Sequence, residues 1–105
     1  MRYTILKQGS GEPVKTGQQV AIYESMGYLN GQQLHAIEKP ASPIRFTLGE
    51  GQVINGVDEG VRGMKVGEIR QLIVPPTLSQ RSAYPDFLSK DSTLVYRIEV
   101  VEVVN

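Results

Sequence analysis

A chain of 105 residues that is 40% hydrophobic and 21% charged is long enough to bury the core of one ordinary domain, expected here as a single unit over residues 1–105. Eleven bases balance eleven acids, and the bases are scattered, which argues against nucleic acid or a membrane surface as partner. The absence of cysteine excludes disulfides, thiol nucleophiles and Cys-ligated zinc. No run approaches the ~18 apolar residues of a membrane span, and the start has no apolar leader. The default expectation is a cytoplasmic monomer; a domain cut from a longer chain could instead be periplasmic or secreted.

The first predicted element is Arg2–Lys7, whose alternation and β-forming residues indicate a short strand. After the turn-rich QGSGEPVKTG, residues 18–29 read as a longer strand. Val20, Ile22 and Glu24 share one face, and Ala21, Tyr23 and Ser25 the other. Asn30-Gly31 predicts a tight hairpin turn with both central residues at positive φ. QQLHAI returns from it, the prolines of EKPASP interrupt, and IRFTL resumes the strand pattern.

Residues 68–74, EIRQLIV, form another strand, stopped by Pro75-Pro76. Residues 75–92 lack any period yet contain Tyr84 and Phe87, and a loop of that length in a small domain tends to carry function. A partner-docking surface built on those two aromatics is one reading of it. TLVYRIEVVEVV then closes the chain, with Leu94, Tyr96, Ile98 and Val100 on one face and a doubled valine, Val100-Val101, that marks a bulge. Five or six strands and one helix without a βαβ rhythm give an α+β domain with an antiparallel sheet.

Residues 48–68, LGEGQVINGVDEGVRGMKVGE, hold six of the eleven glycines. A P-loop would need Lys and Ser/Thr after Gly56, where Val57 and Asp58 stand, and a dinucleotide fingerprint would need glycine at Ile54. A flexible linker is excluded by Val53, Ile54, Val57, Val61, Met64 and Val66. The stretch instead predicts a short helix with Asn55 as N-cap and Asp58 at its positive end. Val57, Val61 and Met64 form its apolar stripe, Gly63 or Gly67 ends it, and Val53-Ile54 lead in as buried backbone.

This stretch resembles the FK506-binding-protein (FKBP) type of peptidyl-prolyl cis-trans isomerase, whose pattern F.LG.G.VI.GW.EG...M.VGE meets FTLGEGQVINGVDEGVRGMKVGE here. The resemblance extends through LKQGSGEPVKTGQQV, the strand with Tyr23, the Asn30-Gly31 turn, LIVPP and STLVYRIEVVEV. It implies a five- or six-stranded antiparallel sheet curled around one short helix, with an apolar pocket between. It also implies rotation about Xaa-Pro bonds of unfolded or partly folded proteins, with no cofactor and no metal.

That rotation faces a barrier of about 18–20 kcal/mol and breaks no bond. A dry apolar pocket favours the twisted amide, which has lost resonance and dipole, and a fixed donor can hold a flanking carbonyl. Carried over by resemblance, the catalytic positions are Tyr23, His35 and Ile54, the last through its backbone N–H. The substrate-binding positions are Leu34, Ile44, Val53, Val57, Gln80, Tyr84 and Tyr96. Several of these equally suit ordinary core residues.

The departures are specific. The family's pocket-floor tryptophan is Val57, its phenylalanine pair is Leu34 and Ile44, and its aspartate is His35. Its loop tyrosine falls on Gln80, with Tyr84 a substitute from farther along. The resemblance with these losses implies reduced isomerase activity and weakened binding of FK506-like macrocycles. The alternative is a binding or chaperone module that keeps the fold and holds peptides. His35, the only histidine, lacks partners for a metal site or a nucleophilic triad; at the pocket mouth it would make ligand binding pH-sensitive in the range where imidazoles titrate.

Overall fold

Residues 1–81, 83–86 and 88–104 are described by the computed structural model. The alternating segments become β1 (Arg2–Lys7), β2 (Gln19–Tyr28), β3 (Gln33–Ile37), β4 (Ile44–Thr47), β5 (Ile69–Val74) and β6 (Leu94–Val104); the helix α1 is Asn55–Val61. All pairings are antiparallel, in the order β1-β5-β6-β2-β3, with β4 also on β2. The expected α+β architecture, an antiparallel sheet with one short helix, is the observed one.

β3 and β4 lie end to end along the same edge of β2. β4 pairs with Gln19–Ile22 and β3 with Glu24–Gly27. The proline-bearing segment between them cannot supply a continuous ladder, so it leaves the edge and returns. Tyr23 stands at that gap, and its hydroxyl donates to the Ala41 carbonyl at 2.8 Å. The hairpin joining β2 and β3 differs from the expected two-residue turn. Only Gly31 has positive φ, at 94°, and the Gly31 N–H donates to the Tyr28 carbonyl at 3.1 Å. A three-residue loop ending in a left-handed glycine needs no strained asparagine. The pairing then slips from Met26↔His35 to Gly27↔Gln33, so Leu34 is an extra residue bulged toward the core.

On β6 the doubled valine does mark a bulge. Ala21 pairs with Glu102 but Ile22 with Val100, which leaves Val101 over. Leu94, Tyr96, Ile98 and Val100 all face the core with Ile22, Leu72 and Val74, where each fully buried aliphatic stabilises by roughly 1.5–3 kcal/mol.

The helix brings Val57 and Val61 into that core, and Met64, expected as the third member of its stripe, joins them from just past the helix end. Two glycines set how close it lies. A Cβ at Gly56 would meet Val74 Cγ1 at 2.5 Å, and one at Gly60 would meet Leu72 Cδ1 at 2.3 Å, so the helix backbone rests directly on β5. Its N-cap is Ile54, not Asn55. The Ile54 carbonyl accepts from the N–H groups of Val57 and Asp58, both at 3.1 Å, and Asn55 is the first helical residue with no side-chain cap. Asp58 serves elsewhere, accepting from the Gly49 N–H at 2.8 Å and from Arg62 at 3.0 Å. Val53 and Ile54 are half-buried rather than sealed, which leaves them available to a ligand.

Candidate functional site

The loop from β5 to β6 is tied down rather than idle. It starts with a 3-10 turn, Pro76–Leu78, and Ser79 behind it is buried. The Ser89 N–H donates to the Tyr28 hydroxyl at 3.0 Å, which fastens the loop to the hairpin. Leu88 is buried in the core cluster, and Tyr84 is half-buried against it. A docking surface of two exposed aromatics is therefore not what Tyr84 offers; Phe87 lies outside the described residues.

Folding the loop back creates a cleft of about 210 Å³ lined by Glu24, Met26, His35, Arg81, Pro85, Leu88 and Tyr96. Beside it lies a second depression of about 480 Å³, lined by Gly51, Gln52, Val53, Ile54, Asn55, Gln80 and Arg81. Arg81 belongs to both and separates them. Its guanidinium donates to the Ser79 carbonyl at 3.2 Å, the Ser79 hydroxyl at 3.1 Å and the Tyr96 hydroxyl at 3.2 Å, and lies 5.8 Å from the Tyr84 ring centre. The ion thus has a hydrogen-bonded seat and an aromatic neighbour at cation–π distance.

The structure distributes the sequence-derived positions unevenly. His35 and Tyr96 share the first cleft; Val53, Ile54 and Gln80 share the second. Leu34, Ile44 and Tyr84 pack on the core beside them. Val57 is 2% exposed and lines neither depression, so it is a core residue under the site. Tyr23 is not part of the site. It points to the opposite face of β2, where it lines a small depression with Ile37, Glu38, Ile69 and Glu99. Alternation along a strand decides this: the inward residues are Val20, Ile22, Glu24 and Met26. An aromatic at the wall would have to stand at position 24, where the chain carries glutamate.

Sequence reasoning missed the apolar walls Met26, Pro85 and Leu88 and, of more consequence, the charged residues Glu24 and Arg81. Glu24 is half-buried between Met26, His35 and Tyr96. Burial pushes its carboxyl up to about 7, and the charge on Arg81 pulls the other way without prevailing. Tyr96 is raised as well, mainly by burial, with the Arg81 hydrogen bond opposing. The alternation already grouped Glu24 with Val20 and Ile22, which was the available signal. Arg81 lies in an aperiodic loop and gave none.

The resemblance assigned a backbone donor to Ile54. Its carbonyl is spent on the helix start, and among the described residues nothing accepts from its N–H. That N–H sits in a half-buried segment at the second depression. An unpaired backbone donor near apolar side chains is poised for a carbonyl.

Comparison with known proteins points to one family. An FK506-binding protein of Streptomyces anulatus is 36% identical over 99 residues, covering 91% of this chain and 80% of that protein. FK506-binding protein 1 of Dictyostelium discoideum is 34% identical over 99 residues, covering 93% and 92%. The chain spans only 25% of FK506-binding protein 4 of Mycosarcoma maydis, at 39% identity over 95 residues. Among solved structures, FkpA from Escherichia coli superposes with a TM-score of 0.82 at 27% identity, over 97% of this chain and 47% of that one. Residues 10–101 match the family of FKBP-type peptidyl-prolyl cis-trans isomerases, and with the fold and these relatives the chain belongs to that family.

Proposed function

We propose that the chain accelerates cis–trans isomerisation of Xaa-Pro bonds in peptides and unfolded proteins, without covalent chemistry, at the paired depressions around Arg81. The observation that carries this is the unpaired N–H of Ile54 beside Val53 and Gln80. Held by that donor, a substrate carbonyl keeps its orientation while the proline side turns among Met26, Leu88 and Tyr96, where a twisted amide loses less on desolvation than a planar one. His35, exposed at the rim of the same cleft, would add a pH dependence to ligand binding. Peptide affinity that is the same at about pH 5.5 and pH 8, or unaltered in His35→Ala, overturns that role.

Arg81 supports the second reading, a peptide-holding module with reduced turnover. It places a hydrogen-bonded cation where one continuous apolar pocket would hold the proline ring and a macrocycle. A protease-coupled assay on a short Xaa-Pro-Phe peptide separates the two. The expected result is weak acceleration that rises with protein concentration; none at high concentration, with binding retained, leaves only the module.

A further inference from the structure

The least explained group near the site is the carboxyl of Glu24. It leaves β2 on the face that otherwise carries Val20, Ile22 and Met26, and enters the first cleft. Among the described residues no group donates a hydrogen bond to it, and Arg81 stays beyond ion-pair distance. Arg81's donors are directed to Ser79 and Tyr96 instead. A partly dehydrated carboxylate with empty acceptor positions is unfavourable, and a ligand that brings a cation against it recovers the loss.

We propose that Glu24 makes this site selective for peptides that carry lysine or arginine next to the proline, the substrate's cation pairing with the Glu24 carboxylate. This rests on the reading that the cleft takes proline peptides. A single carboxylate, beside one imidazole and a guanidinium already bonded to Ser79 and Tyr96, suits an ammonium or guanidinium group better than a metal ion, which needs several carboxylate ligands. With the proline among Met26, Leu88 and Tyr96, the apolar wall left over is Pro85, which would cover the aliphatic stem of a lysine. An acidic residue in the same place would meet a like charge.

The preference depends on the charge state of Glu24. The titratable groups lining the first cleft with it are His35 from β3, Tyr96 from β6 and Arg81 from the loop, and Tyr23, Glu38, Arg97 and Glu99 line the small depression around Tyr23, which it also borders. Because burial outweighs the attraction of Arg81, the carboxyl is protonated through mildly acidic pH and charged above about 7.

The test uses the full chain and three labelled peptides, Ala-Xaa-Pro-Phe with Xaa as Lys, Leu or Glu. Isomerisation is read by NMR exchange and binding by fluorescence anisotropy. At pH 8 the Lys peptide should exceed the Glu peptide by about tenfold, with Leu between, and at pH 5.5 the gap should fall to about twofold. Glu24→Gln should bring the ratio within about twofold at both pH values; Glu24→Ala, checked for folding by circular dichroism, repeats the result with the polar group removed. Equal handling of Lys and Glu peptides by the wild type, or a preference that survives in Glu24→Gln, overturns the inference. Isomerisation without charge preference overturns it alone; charge-selective binding without isomerisation overturns the enzymatic reading alone; absence of both binding and isomerisation overturns both.

Discussion

Two arginines divide this molecule into a saturated end and an unsaturated one. Arg70, on β5 under the helix, is 8% exposed. It pairs with Glu68, donates to the carbonyls of Gly60 at 3.3 Å and Arg62 at 3.2 Å, and lies 4.5 Å from the ring centre of Tyr3. Its carboxylate partner is two residues away, just before the same strand, and its other donors cap the helix C-terminus where carbonyls are orphaned. Arg81 has no such arrangement. It sits on a loop, the carboxylate that shares its cleft belongs to β2, and the two form no ion pair. One ion pair is completed inside the protein and serves stability. The other is left open at a cleft, where a ligand can complete it.

Breaking the saturated end should have the largest effect. Arg70→Leu strands the buried Glu68 carboxylate and uncaps α1, at a cost of about 3–5 kcal/mol in urea unfolding. Gly60→Ala belongs to the same region and drives a methyl into Leu72; overpacking of about 1–3 kcal/mol outweighs the helix-propensity gain, so a net loss of about 1 kcal/mol or somewhat more is expected. A change below about 0.3 kcal/mol would mean the helix does not rest on β5 as closely as described.

At the unsaturated end the sign reverses. Glu24 holds its proton more tightly folded than unfolded, so wild-type stability falls as pH rises from about 4.5 to about 7. Glu24→Gln removes that loss. It should be more stable than wild type by about 1–2 kcal/mol at pH 8, with the difference disappearing near pH 4.5, read by thermal melts at both pH values. The smallest stability change is expected from Arg81→Gln, about 0.5 kcal/mol or less, because water can replace its hydrogen bonds. Its consequence is in binding: joining the two depressions should tighten a Leu-Pro peptide by about threefold, which corresponds to roughly 30 Å² of added apolar contact.

The fold was legible because its signals are local and repetitive. The alternation of β6, the extra valine at Val101 and the stripe of Val57, Val61 and Met64 each appear in the chain before any contact is known. The site was legible in part. Ile54, Val53, Gln80, His35 and Tyr96 were named by the family pattern, and the structure sets them around the two depressions. Tyr23 failed because the resemblance favoured an aromatic while the alternation placed it on the outer face. Glu24 was passed over since a carboxylate in a strand usually faces water. Neither Asn55 nor Asn30 took its expected conformation, since Ile54 already caps the helix with backbone alone and one left-handed glycine suffices in the hairpin.

By itself the sequence determined the strands, the helix and the family, because hydrophobic periodicity and glycine placement are read residue by residue along the chain. Tertiary structure decided the character of the site. Whether Arg81 meets Glu68, Glu24 or neither depends on where a loop without periodicity folds back, and that is governed by the burial of Leu88, the packing of Tyr84 and the hydrogen bond from Ser89 to Tyr28. Charges separated along the chain become a buried pair or an open cleft only when desolvation and distance are fixed together, and only the folded chain sets both.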